Sequence, residues 1–267
     1  MVNFGLAGSP DPEVTMSRIL ALPSLLLFSP LAVLAQAPSL AASTTLPITF
    51  TRAVDANHAK AGDIVEAKTF QQVKLSSGAV IPSGAHVTGH VVEAAGYIFD
   101  KTPYAKQTTS RLSIHFDSVQ NGTVSIPLNV TVRAMADSIT SINAYAPLSN
   151  DLDSRSTRTL VGGDQLYASQ DGIEDKDGDV VAYNRRDGVY AHLISNGRCD
   201  GGSTEVSMGI YSASACGVYG FTGMRAVETG SVAQPSTLTF VSARRTAEVP
   251  KHSTALLEVL PVQQASR

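Results

Sequence analysis

The chain has 267 residues, of which 43% are hydrophobic and 16% charged, with a formal net charge of −3. That balance leaves neither the basic footprint of a nucleic-acid binder nor a polybasic patch for a membrane surface. With no Trp and with Val, Thr, Ser, Ala and Gly prominent, the profile is that of an exported sheet protein and not of a helical bundle.

Residues 16–37, MSRILALPSLLLFSPLAVLAQA, read as a signal peptide. Arg18 supplies a short positive start, Ile19 to Leu34 form an apolar run, and Val33-Leu34-Ala35 and Ala35-Gln36-Ala37 both offer the small side chains needed at a cleavage point. The run is shorter than the roughly 20 residues that cross a bilayer and contains two prolines, so the expectation is a cleaved signal with no stable transmembrane helix afterwards. Residues 1–15, MVNFGLAGSPDPEVT, lack a positive charge and contain Gly, Pro and acids. They read as a start-site artefact ahead of Met16. The expected location is periplasmic or secreted.

From Leu46 the chain turns to short alternating segments. Residues 48–51 alternate with period two. In Ile64 to Leu75, Val65, Ala67 and Thr69 face opposite to Ile64, Glu66 and Lys68, and a bulge near Thr69-Phe70 is expected to restore the phase. Ala79-Val80-Ile81, the corner Pro82-Ser83-Gly84 and a strand over 86–92 follow. Residues 110–120, SRLSIHFDSVQ, alternate best, with Leu112, Ile114 and Phe116 on one face. Asn121-Gly122 then predicts a hairpin turn, because both residues accept positive φ, and a long strand over 123–135. Residues 38–136 are therefore expected to form the first part of a β-barrel.

The composition changes over 137–216. SNDLDSRSTR and SQDGIEDKDGD are polar, short β-like pieces such as residues 189–194 remain, and the segment predicts a polar, elaborated insertion or long loops without a second strongly packed core. Cys199 and Cys216 are the only cysteines. In an oxidising compartment such a pair predicts a disulfide that pins the insertion. A catalytic thiol with His192 as base has no supporting motif. Residues 217–267 are expected to supply the closing strands, over 236–243 and 253–262. AVIPSGAHVTGHV from Ala79 and AEVPKHSTALLEV from Ala247 share an apolar residue, a Pro, a short turn and a strand, as two similar corners of one barrel would.

Four constellations could carry chemistry. His86, His90 and His115 on neighbouring strand faces have imidazoles suited to Zn²⁺ or Cu²⁺, but alternation on the solvent side of a sheet produces such groupings freely. Asp175, Asp177 and Asp179 invite a Ca²⁺ loop, yet Val180 stands where its Gly belongs and Arg186 where its closing acid belongs. The acid pairs Asp151/Asp153 and Glu174/Asp175 lie in polar sequence with nothing to raise a pKa for acid catalysis. Tyr167, Tyr183 and Tyr190 could serve a glycan, since Tyr has a flat apolar face and a hydroxyl. Neither an elbow around a nucleophilic Ser nor a zinc-protease helix motif occurs. No catalytic residue, metal or cofactor is assigned.

VKLSSGAVIPSGAHVTGHV at 73–91 is similar to the part of the TrbI-type scaffold proteins of type IV secretion and conjugation channels where a strand, an Ile-Pro-x-Gly corner and a second strand succeed one another. RLSIHFDSVQNGTVSIPL at 111–128 resembles that family's next hairpin. VPKHSTALLEV at 249–259 resembles its final corner and strand, with His252 in place of the usual Gly. The resemblance implies a small β-barrel, envelope proteins as partners, and structural corner roles for Pro82, Gly84 and Pro250. The fold class expected is all-β: one barrel-like domain with a polar, disulfide-pinned insertion. The function expected is that of an exported, non-enzymatic envelope protein. A small-ligand module and a hydrolase with an unfamiliar site are the alternatives.

Overall fold

The computed structural model describes residues 40–75, 77–101, 107–146, 156–231 and 234–261. The expected signal peptide, the fifteen residues before it, and Asp151 and Asp153 lie outside the described residues. The first half of the fold contains β1 (Thr45–Phe50), β2 (Val54–Asp55), β3 (Ile64–Thr69), β4 (Val73–Lys74), β5 (Val80–Ile81), β6 (His86–Ala95), β7 (Ser110–Asn121), β8 (Val124–Pro127) and β9 (Val130–Ala136). Helix α1 (Ser138–Tyr145) follows. Then come β10 (Arg158–Thr159), β11 (Gln165–Leu166), β12 (Gly172–Glu174), β13 (Val180–Arg185), β14 (Gly188–His192) and β15 (Glu205–Ser207). The chain closes with β16 (Gly217–Tyr219), β17 (Arg225–Ser231), β18 (Gln234–Ser242), β19 (Glu248–Val249) and β20 (Thr254–Val259).

A ten-stranded sheet in the order β16-β9-β20-β1-β3-β6-β7-β18-β17, with β8 on β7, curls into a nearly closed barrel. Its gap lies between β9 and β17. There the Glu228 carboxylate accepts the Val132 amide (2.6 Å) and the Ser236 hydroxyl (2.8 Å), so a side chain stands in for ladder hydrogen bonds. Alternation explains the filling. Val65, Ala67 and Thr69 of β3 turn inward, as do Leu112, Ile114 and Phe116 of β7, joining Leu46, Ile48 and Phe50 of β1. Each fully buried Leu, Ile or Phe contributes about 1.5–3 kcal/mol.

The two Pro-containing corners have the same construction. Gly84 (φ +84°) donates its amide to Thr69 O, and Thr69 donates to Ala85 O. His252 (φ +69°) donates to Phe50 O, and Phe50 donates to Ser253 O. Around them β4 pairs β5 and β2 pairs β19, so strands β3 to β6 echo β1, β2, β19 and β20. Pro82 and Pro250 open the two turns, each accepting the amide three residues on.

Several local expectations need correction. No bulge sits at Thr69-Phe70. β3 ends there because Thr69 is taken up by the corner, and Phe70 leaves the barrel. At the β7–β8 hairpin the closing pair is Asn121↔Val124, so the turn is Gly122-Thr123, and Gly122 takes positive φ (+61°) while Asn121 remains in the strand. The expected strand over 123–135 is two strands. Pro127, which cannot donate to a ladder, ends β8 beside Ser118, and the chain crosses to β9 beside β20.

The largest correction concerns the insertion. Its disulfide is present, with Cys199 and Cys216 Cα atoms 6.1 Å apart. It has a packed core, however, and its β-like pieces are parts of a sheet. β10 to β15 form a six-stranded antiparallel meander. A buried cluster including Ile173, Val189, Leu193, Met208 and Tyr211 packs with several alanines and with Ala134, Ala136 and Leu256 of the barrel wall. This sheet has a core because it borrows one side of it. Helix α1 begins at Asp137, whose carboxylate caps the Thr140 amide (2.8 Å). Among the described residues no helix is long and apolar enough to cross a membrane.

Candidate functional site

The residues singled out by sequence do not converge. His90 and His115 are cross-strand partners with ring centroids 5.3 Å apart. Asp117 receives His90 Nδ1 at 2.9 Å, while His115 Nδ1 donates to the Ser236 carbonyl (2.8 Å). His86 begins the same strand four residues before His90, about 13 Å away at strand rise, too far to share an ion. Among the described residues no group of three His, Cys, Asp or Glu could hold a metal. The Asp175–Asp179 stretch is a hairpin turn in which the Asp175 carboxylate accepts the amides of Asp177 (2.9 Å) and Asp179 (3.0 Å). That carboxylate is spent on the turn. Tyr183 and Tyr190 are cross-strand partners, but Tyr190 is buried in the seam between the two sheets.

The seam itself makes the site. Gln71 leaves the end of β3 and buries its amide against the second sheet. Nε2 donates to Val189 O (2.7 Å), and Oε1 accepts the amides of Val189 (3.1 Å) and Gly209 (2.7 Å). A side-chain amide thus closes three hydrogen bonds that neither sheet makes alone. Gly209 (φ +63°) passes so near Phe70 that a Cβ would lie 2.3 Å from its ring. Beside this clamp Lys74 pairs with Asp187 (2.8 Å), Gln72 donates to the same carboxylate (3.0 Å), and the Lys74 ammonium sits 4.8 Å from the centre of the Tyr190 ring. The Lys74 hydrogen bond holds the Asp187 carboxyl below its ordinary range.

Two further clamps fix the seam. Arg133 of β9 is buried, and its guanidinium donates to Asp200 O (2.6 Å), Ile194 O (2.8 Å) and the Glu258 carboxylate (3.3 Å). Burial raises the Glu258 carboxyl, an effect opposed by the Arg133 charge. Thr254 of β20 joins the Tyr211 hydroxyl (2.7 Å) and the Ser141 hydroxyl of α1 (2.9 Å).

Two cavities open along this seam and share Phe70, Tyr145 and Ile210. The first, about 630 Å³, is edged by Arg158, Asn184 and Arg186. Arg158 is half-buried, and its Nε is buried without a hydrogen-bond partner. Desolvation pulls its guanidinium below the ordinary range, opposed by nearby Tyr145. Such a group stays protonated in proteins, so the cavity holds a partly desolvated positive charge. The acid at this cavity, Asp187, is engaged by Lys74 and Gln72. The second cavity, about 510 Å³, is apolar on the α1 side, where Ile142 and Tyr145 meet Phe70 and Ile210. Ile139, Ile142 and Tyr145 of α1 are 67%, 56% and 65% exposed, so the helix turns an apolar face to solvent beside the groove.

Neither cavity brings two described carboxylates together, and no activated nucleophile lines them. The groove carries a cation at one end and an apolar slot at the other. Sequence reasoning missed Gln71, Arg158 and Arg186. The Arg185-Arg186-Asp187-Gly188 run joining β13 and β14 carried a legible signal, since Asp-Gly ahead of a β-like piece marks the hairpin that presents Arg186. Arg158, in SRSTR, carried none. Compared with known proteins, the chain matches no family model, no curated protein and no solved structure.

Proposed function

We propose that this protein is an exported, non-enzymatic component of the cell envelope that works by holding a partner protein in the groove between its barrel and its second sheet. The observation that carries the reading is the groove itself. Among the described residues it pairs a guanidinium that no carboxylate neutralises with an exposed apolar helix face, and no catalytic constellation lines it. The disulfide supports an oxidising compartment, and the pattern of residues 16–37 supports export through a cleaved signal. The resemblance of the barrel segments to the TrbI-type scaffolds supports an envelope role of the assembly kind.

The test uses a photo-crosslinking residue at Tyr145, in the groove, and another at Val124, on the β7–β8 hairpin, which lines neither cavity, in the full chain expressed in its own cell type. The reading predicts an adduct with an envelope protein from position 145, absent from position 124, and a mature N-terminus near Pro38. Adducts that are equal at both positions, or absent from both, contradict it.

A further inference from the structure

Resting on that reading of the groove, we infer that its occupant is an extended partner segment in which a carboxylate lies within about three residues of an aromatic or branched aliphatic side chain. The carboxylate would meet Arg158 and Arg186, and the apolar side chain would enter the slot formed by Phe70, Ile142, Tyr145 and Ile210.

Arg158 keeps a buried Nε that no acceptor satisfies. Among the described residues no carboxylate pairs with it or with Arg186. A half-buried guanidinium without a counter-charge is unfavourable, and a planar fork of donors matches a carboxylate. Asp187 does not fill this role, because its oxygens receive Lys74 and Gln72. Among the described residues nothing else compensates Arg158, so an anionic segment complements this end of the groove and a neutral or cationic one does not.

Shape then selects a segment and not an isolated ion. The cationic cavity and the apolar one share Phe70, Tyr145 and Ile210, so an occupant of the first meets the wall of the second. A carboxylate and an apolar side chain one to three residues apart on an extended chain are about 3–10 Å apart along the backbone, the scale of one side chain beside another. The side-chain amide of Asn184, at the edge of the cationic cavity, makes no hydrogen bond to the described residues and offers both a donor and an acceptor to a passing peptide group. The exposed Ile139 of α1 extends the apolar wall that Ile142 begins inside the cavity.

The experiment is selection of random ten-residue peptides displayed on phage against the mature, disulfide-bonded chain, with counter-selection on the R158Q/R186Q variant. Enriched peptides are then measured by fluorescence anisotropy. The expected result is enrichment of Asp or Glu within three residues of Phe, Tyr, Leu or Ile. Replacing that acid by its amide should weaken binding about tenfold or more. Arg158→Gln should weaken the acidic peptide by a similar factor and remove the difference between acid and amide peptides, which a merely structural role for Arg158 would not do. Should Arg158→Gln fail to fold, Arg186→Gln on its exposed turn serves instead, with the same collapse of the acid–amide difference at smaller amplitude.

No enrichment, enrichment of sequences without acids, or acid peptides that bind the double variant equally would overturn the inference. So would phenylacetate alone displacing the peptide at equal concentration, which would make a small organic anion the occupant. A specific adduct from position 145 together with non-acidic selected peptides would leave the groove reading standing and remove only the ligand class.

Discussion

The ten-stranded barrel and the six-stranded sheet beside it are built from different material and held by different forces. The barrel interior is Leu, Ile, Val and Phe on alternating positions, with β1, β3 and β7 each turning an apolar face inward. The second sheet has short strands and an interior rich in alanine, and it completes its cluster with Ala134, Ala136 and Leu256 from the barrel wall. What it lacks in apolar area it replaces with polar clamps: Gln71, Arg133, the Thr254 hydroxyl network and the Cys199–Cys216 bridge. The difference teaches that a polar, low-contrast segment can fold when a preformed scaffold supplies one wall and satisfies its buried hydrogen bonds. The functional consequence is a seam with charged and apolar walls in close proximity, which neither sheet would present alone.

Removing the central clamp should separate the two regions most strongly. Arg133→Ala leaves Asp200 O and Ile194 O without their donor and Glu258 without its counter-charge, so unfolding by urea should show a loss of about 3–5 kcal/mol. Hydrogen exchange should accelerate more in β13 and β14 than in β1 and β6. Reduction of the disulfide is next. Releasing a bridge across 17 residues should cost about 3 kcal/mol, and a Cys199→Ser/Cys216→Ser double variant should show the same difference in denaturation midpoint.

On the barrel side the expected effects are smaller. His252 holds a left-handed backbone at a corner whose counterpart uses Gly84. His252→Gly should therefore stabilise by about 0.5–1 kcal/mol, read as a raised Tm. In the second sheet burial holds the Asp164 carboxyl above its ordinary range, opposed by hydrogen bonds from the Ala213 amide and Ser212. The folded protein thus binds this proton more tightly than the unfolded chain. The contribution is complete below about pH 4 and is lost as pH rises through the native value. Asp164→Asn should flatten that part of the stability profile, measured as urea midpoints from pH 4 to 7.

The contrast between the regions also decides what was legible. Leu112, Ile114 and Phe116 announce β7 because large side chains alternate with Arg111 and His115, and the positive-φ demand of a tight turn marks Gly122. The two cysteines predict their bridge from compartment logic. By contrast, in the second sheet residues 189–194 read as β-like, but Gly172–Glu174 and Glu205–Ser207 are three residues each, too short to separate from loop sequence until the barrel wall opposite is known. Helix α1 left one cue, Asp137 as its N-cap, since Ile139, Ile142 and Tyr145 face solvent and give no buried stripe. Gln71 and Arg133 were illegible for a related reason. Their roles depend on carbonyls more than 60 residues distant in the chain, such as Val189 and Ile194.

The groove is a built site only if both of its walls are stable together, and native-state hydrogen exchange tests that most directly. The amides of Val189 and Gly209, bound to Gln71, should exchange with opening free energies within about 1 kcal/mol of those of β1 and β6, as in one cooperative unit. In Gln71→Ala they should fall below the barrel amides by about 2 kcal/mol. If β13 and β14 already open independently in the wild-type chain, at a free energy well below that of the barrel, the seam is not a formed groove and the account of its function fails.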